Sequence, residues 1–189
     1  MTTCAKALQA WAAKEETPLE DAKMVKIYAQ IPPISKLDNS LNQLVNCERL
    51  SLSTNSIDRL IPLPGLKSLK ILSVGRNNLK KIDGSLAADH GNTLEQLWAS
   101  YNKIGSLDGI DKLSALTTLY LSNNKIANFD ELSKLADLAE LRDLLLIGNP
   151  CYEGLSKDER RIEVIKRLPQ VTKVDGIMVT PGEREAAGV

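Results

Sequence analysis

Reactive side chains are few in this chain, and they do not converge. The single histidine, His90, stands beside Gly91 in a segment that reads as a convex loop, with no serine and acid at a credible distance. Cys4, Cys47 and Cys151 lack metal-ligand spacing and read as small buried hydrophobes, which implies a reducing compartment. Asp83-Gly84, Asp108-Gly109 and Asp175-Gly176 are turn signals rather than calcium loops, because the spaced acidic ligands are missing. No glycine-rich phosphate cradle follows a strand. The expectation is a non-enzyme without cofactor or metal. With 24 basic and 24 acidic side chains the net charge is zero, so a nucleic-acid surface is not expected. No apolar run approaches the length of a membrane span, and no signal peptide precedes the patterned region. What remains is recognition. Aromatic residues are only 4 % of the chain, yet Trp98, Tyr101 and Tyr120 fall close together, so the elements that carry them decide their use.

Those elements are repeats. Asn55, Asn77, Asn102, Asn124 and Asn149 recur at steps of 22, 25, 22 and 25 residues. Each holds the same place in a frame of leucine-x-x-leucine-x-leucine-x-x-asparagine-x-leucine, as in Leu94–Leu97–Ala99–Asn102–Ile104 and Leu116–Leu119–Leu121–Asn124–Ile126. This is the leucine-rich repeat pattern at its ordinary period. It predicts an α/β solenoid: a curved parallel sheet on the concave face, short helices and turns on the convex face, and helical caps at both ends. The asparagine falls where the strand ends and the chain bends into the core. Its amide can both donate and accept, so the five form a structural ladder that satisfies buried backbone groups of neighbouring coils.

The frame also separates core from surface. Residues between the strand leucines point away from the core, and among these positions lie Trp98, Tyr120, Leu145, Ile147 and Ile71, with Tyr101 just before its asparagine. Early repeats present serine, threonine and arginine there, later ones aromatics and aliphatics. Large apolar residues at solvent-facing positions mark interaction sites, and Trp and Tyr are the types enriched in hot spots. The candidate partner-binding set is therefore Trp98, Tyr101, Tyr120, Leu145, Ile147 and Ile71, with Arg49 and Arg76 as a polar rim. The bland alternative is that the aromatics merely cover neighbouring strands.

Residues 1–189 read as one leucine-rich repeat domain: a helical cap over 1–23, a degenerate repeat over 24–46, five regular repeats over 47–155, and a cap and tail over 156–189. The first helix is expected over about Thr2 to Glu15, with Leu8, Trp11 and Ala12 inward. In the degenerate repeat Val25 and Ile27 take the strand positions, Ile31-Pro32-Pro33-Ile34 replaces the asparagine turn, and Leu37, Leu41 and Leu44 form a short convex helix. In the C-terminal cap Ile162, Ile165 and Leu168 face inward, and one last strand with Val171 and Val174 closes the sheet. Pro181 and Glu183-Arg184-Glu185-Ala186-Ala187 favour a terminal helix that contributes little core. It either projects toward a partner or frays.

The cap over Arg160 to Gly176 resembles that of a subgroup of intracellular leucine-rich repeat proteins. That subgroup includes a phosphatase-1 regulator, a spliceosomal protein and an axonemal dynein light chain. Ile31-Pro32-Pro33-Ile34-Ser35-Lys36-Leu37-Asp38, Leu94-Glu95-Gln96-Leu97-Trp98-Ala99-Ser100-Tyr101-Asn102 and Glu183-Arg184-Glu185 go further, and resemble the outer-arm axonemal dynein light chain 1 family over nearly the whole chain after about residue 24. The resemblance implies a non-catalytic subunit of the cilium or flagellum axoneme, in the cytoplasm and cytoskeleton. It would bind a dynein heavy chain near its microtubule-binding stalk head and modulate the motor's grip on the microtubule. Tubulin would be a second partner, reached through Arg184. The alternative is a regulatory or scaffold repeat protein of the phosphatase-1-regulator or spliceosomal kind.

Overall fold

The structure is a computed structural model and describes residues 2–82 and 84–189, so the first residue of the Asp83-Gly84 turn signal lies outside the described residues. Each frame begins with a three-residue strand: β1 Met24–Lys26, β2 Arg49–Ser51, β3 Ile71–Ser73, β4 Gln96–Trp98, β5 Thr118–Tyr120 and β6 Asp143–Leu145. These pair in parallel and in sequence order, and the register stacks equal frame positions. Val25, Leu50, Leu72, Leu97, Leu119, Leu144 and Val174 form one aliphatic column across the sheet. All are essentially buried, as are Ile27, Leu52, Val74, Ala99, Leu121 and Leu146 two residues on. Burying a Leu or Val side chain stabilises by about 1.5–3 kcal/mol. No coil can do this alone, because each one's apolar row is covered by its neighbour's.

The asparagines close the bend below each strand. Asn102 shows the pattern: its Nδ2 donates to the carbonyls of Val74 and Ala99 (both 3.0 Å), and its Oδ1 accepts from Leu79 N–H (3.0 Å). Asn77, Asn124 and Asn149 repeat this on the coils before them. Asn55 does the same to Ile34 N–H and the Ile27 and Leu52 carbonyls, but is only half-buried. The residue before each asparagine, and its equivalent Ala29 before Gln30 in the degenerate repeat, lies in the left-handed region. Ala29, Thr54, Arg76, Tyr101 and Asn123 have φ of 48, 56, 54, 58 and 54°, and Gly148 has 82°. Non-glycine residues enter that region at a cost of about 1–2 kcal/mol. The bonds from Arg76 N–H to Ser100 O (2.9 Å) and Tyr101 N–H to Ser122 O (2.8 Å) help hold them there.

The longer repeats carry convex helices, α2 Gly84–His90 and α3 Asp130–Ser133, and the shorter ones carry turns. Acidic side chains of these segments cap the previous coil: Asp89 accepts from Leu63 N–H (2.6 Å) and Glu131 from Leu107 N–H (2.9 Å). His90 is therefore not in an exposed loop. It ends α2, is 1 % exposed, and burial pulls its pKa below the ordinary 6.5.

At the N-terminal end α1 runs Cys4–Glu15 with Thr3 as N-cap. Its inward face is Cys4, Ala7 and Leu8 with Trp11 partly buried, and Ala12 stays at the margin. A short 3₁₀ turn over Asn39–Gln43 carries buried Leu41. At the other end α4 (Lys157–Arg167) starts with a capping box between Ser156 and Glu159. It buries Arg161, Val164 and Ile165, leaving Ile162 only partly covered. The sheet does not close on one strand. β7 (Lys173–Val174) pairs in parallel with β6, and β8 (Ile177–Met178) returns antiparallel. Asp175 and Gly176 between them both have positive φ, the requirement of a tight hairpin turn.

The tail neither projects nor frays. α5 (Pro181–Ala187) packs on α4, because Glu183 serves two ends at once. It completes a capping box with Thr180 and accepts a charged pair from buried Arg161, whose guanidinium also donates to the carbonyls of Val174 (2.6 Å) and Met178 (3.1 Å). Arg161 holds the Glu183 carboxyl down to about 2. All three cysteines are buried and unpaired, with thiols pushed up to about 11 by burial.

Candidate partner-binding surface

The alternation that buries Leu97 and Leu119 turns Trp98 and Tyr120 outward, and the register places them opposite each other. Their rings stack at 6.1 Å between centroids and 20° between planes. Trp98 is still 39 % exposed, so the stack does not bury it. Leu145 follows in register beside Tyr120 and is half-buried. Tyr120 is oriented by its hydroxyl, which donates to Asp143 Oδ2 (3.1 Å), and Asp143 accepts in turn from Lys173 Nζ (2.9 Å). Burial, then the Asp143 carboxylate, raises the Tyr120 pKa, so the phenol stays neutral and its ring presents an apolar face.

A second group sits at the strand ends. Tyr101, in its left-handed turn, is 47 % exposed, and the Arg76 guanidinium lies 4.4 Å from its ring centroid. Such cation–π contacts fix an arginine in place while leaving its charge accessible. Ile147 is 51 % exposed one coil on from Asn123. Toward the N-terminal side Ile71 is half-buried between Arg49, which is exposed, and Gln96. The eight predicted residues thus lie on one face, in three groups: the Trp98–Tyr120–Leu145 band across the strands, Arg76, Tyr101 and Ile147 along their ends, and Arg49 with Ile71 toward the N-terminal side.

The surface also extends further than expected. Met24 and Tyr28 of the degenerate repeat are exposed and, with Ile71 and Trp98, line a shallow cavity of about 390 Å³ beside Arg49. Their frame positions match those of Ile71 and Gly75, which was the signal available in the sequence; the missing asparagine turn weakened it. Arg184 lies elsewhere. Its guanidinium donates to the carbonyls of Pro169 (2.6 Å) and Val171 (2.8 Å), so it braces the C-terminal cap. Among the described residues no group of three or more His, Cys, Asp or Glu is placed to hold a metal ion.

Comparison with known proteins identifies the repeat type and the family. Residues 92–134 match the family model described as Leucine Rich repeats (2 copies). The chain is 51 % identical over 188 residues to dynein axonemal light chain 1 of Danio rerio, covering 99 % of this chain and 97 % of that protein. It is 48 % identical to the Homo sapiens protein of that name, covering 97 % and 96 %, and 47 % identical to the Chlamydomonas reinhardtii one, covering 100 % and 96 %. Among solved structures it superposes on a chain of the Drosophila melanogaster SNF/U2A′ complex with a TM-score of 0.66 and 21 % identity, covering 82 % of this chain and 91 % of that one, a likeness of fold. Near-full-length identity, the repeat frame and the stacked coils together make this chain a non-catalytic member of the axonemal dynein light chain 1 family.

Proposed function

We propose that this protein is a subunit of ciliary or flagellar outer-arm dynein, located in the axoneme. Its concave face binds a dynein heavy chain near the microtubule-binding stalk head and modulates the motor's interaction with the microtubule. The observation that carries the reading is the Trp98–Tyr120–Leu145 band, exposed at Trp98 and half-buried at Tyr120 and Leu145, at positions the repeat reserves for solvent. Partly exposed stacked aromatics gain contact area on binding with little further loss of rotamer freedom, since their rings are already ordered. Arg76 and Arg49 at the margin supply charge-assisted hydrogen bonds to acidic groups on the partner. Arg184 is held by backbone carbonyls, so the reading does not route a tubulin contact through the tail.

The test is a hydrogen-exchange and cross-linking footprint of the full chain bound to a heavy-chain fragment carrying the stalk and its head. Protection centred on residues 96–101, 118–122 and 143–147 is the expected result. A footprint confined to the convex helices α2 and α3 would overturn the reading.

A further inference from the structure

β1 is the terminal strand of the sheet, and among the described residues no strand pairs with its outer edge. In a parallel ladder, successive residues turn their N–H and C=O groups to opposite sides. Ile27 and Ala29 donate to the carbonyls of Ser51 and Ser53, each at 3.0 Å. The backbone groups of Met24, Lys26 and Tyr28 therefore face away from the sheet. One of them, the Tyr28 carbonyl, accepts from Gln30 Nε2 (3.0 Å). An edge of this kind is a template for another strand, and proteins ordinarily cover it. The element in place to do so is α1, and it stands clear. Between α1 and β1 runs an open cavity of about 670 Å³, walled by Trp11 and Lys14 on the helix and by Met24, Lys26, Tyr28 and Gln30 on the strand side.

We infer that this trough receives an extended segment of a partner protein, added to β1 as a further strand. A carboxylate of that segment sits between Lys14 and Lys26, and an apolar side chain packs on Trp11. Backbone pairing supplies the affinity and the alternate side chains the selectivity, as in other cases of strand addition. The charge of the walls selects an acidic segment: Lys14 and Lys26 are both exposed, and Glu15, 3.9 Å from Lys14, offsets only one of them. The chain's own C-terminal segment does not fit, because α5 is fixed at the far end of the solenoid on α4. A second copy is disfavoured, since pairing β1 with β1 would bring like lysines together. The trough shares Met24, Lys26 and Tyr28 with the N-terminal end of the concave surface, while Trp11 and Lys14 line the trough alone and report its occupancy separately from the aromatic band.

The probe is a capped seven-residue peptide alternating valine with glutamate, titrated into isotope-labelled full-length protein and followed by amide shifts and exchange. Two controls carry lysine for glutamate, or N-methyl groups on the amides that would pair with β1. Expected are shifts at Lys26, Tyr28 and the Trp11 indole, slowed exchange of the Lys26 amide, and binding weakened about tenfold by N-methylation, the loss of one or two backbone hydrogen bonds. The Lys14→Glu/Lys26→Glu protein, whose spectrum away from the trough should be unchanged, should weaken similarly. Equal binding of the N-methylated peptide, shifts at Trp98 and Tyr120 instead, or no binding at millimolar peptide would each overturn the proposal. So would peptide-independent dimerisation that protects the Lys26 amide.

Discussion

At the scale of single residues, each asparagine matters because it pairs several main-chain groups that the bend removes from water. Asn102→Ala and Asn124→Ala each strand one buried N–H, that of Leu79 or Ile104, and take one of two donors from each of two carbonyls that the neighbouring asparagines still serve. Unpaired buried groups cost about 1–3 kcal/mol each, and partial relaxation keeps the total near the upper end for one group. A loss of about 3 kcal/mol in urea unfolding is expected, and an unaltered midpoint would contradict the ladder. His90 gives a pH-dependent test. Its folded pKa lies below 6.5, so between 6.5 and that lower value the unfolded chain binds more protons than the folded one. By linkage its contribution is fully present above 6.5 and declines as pH falls through that window. The urea midpoint should drop between pH 7.5 and 5.5, and His90→Leu should flatten that drop. Equal slopes in both proteins would show that His90 does not titrate on unfolding.

At the scale of elements, the C-terminal lock sets the behaviour. Deleting residues 181–189 removes Glu183, so Arg161, which is 3 % exposed in the full chain, loses its carboxylate together with the packing of α5 on α4. Breaking a buried pair by removing one partner costs about 3–5 kcal/mol, so the truncated chain should melt well below the full one; an unchanged transition would mean that α5 is dispensable. Glu183, with its carboxyl near 2, contributes stability above about pH 4.5 that is lost as pH falls toward 2. This element was the least legible from sequence. The strands, their register and the convex helices follow from a pattern repeated five times, so each repeat corroborates the next. Arg161, Glu183 and the Asp175-Gly176 hairpin occur once. Nothing in a helical pattern tells a buried arginine from a solvated one until its partner, 22 residues on, is brought beside it. His90 was misplaced for a related reason: the glycine beside it signals a loop, but that glycine follows the last turn of α2.

At the scale of the whole molecule, the solenoid separates stability from recognition. Leucines and asparagines hold the coils, while the face they turn outward is free to vary, and here it carries aromatics across the middle of a parallel sheet. Those residues were legible because the frame states which positions face solvent. The frame also turns Met24 and Tyr28 to that face, but that they join Ile71 and Trp98 around one cavity was not legible, because the first coil lacks the asparagine that anchors the frame. The claim that the concave band is the partner surface is tested most directly by calorimetric titration of a heavy-chain stalk-head fragment into the full chain and into Trp98→Ala/Tyr120→Ala. Losing the stack should lower the melting temperature by only about 2–4 °C, since a partly exposed aromatic pair contributes about 1 kcal/mol. The affinity should fall by about 2–4 kcal/mol, roughly thirtyfold to a thousandfold, as for two central hot-spot residues. An affinity equal to that of the unsubstituted protein, with folding intact, would contradict the account.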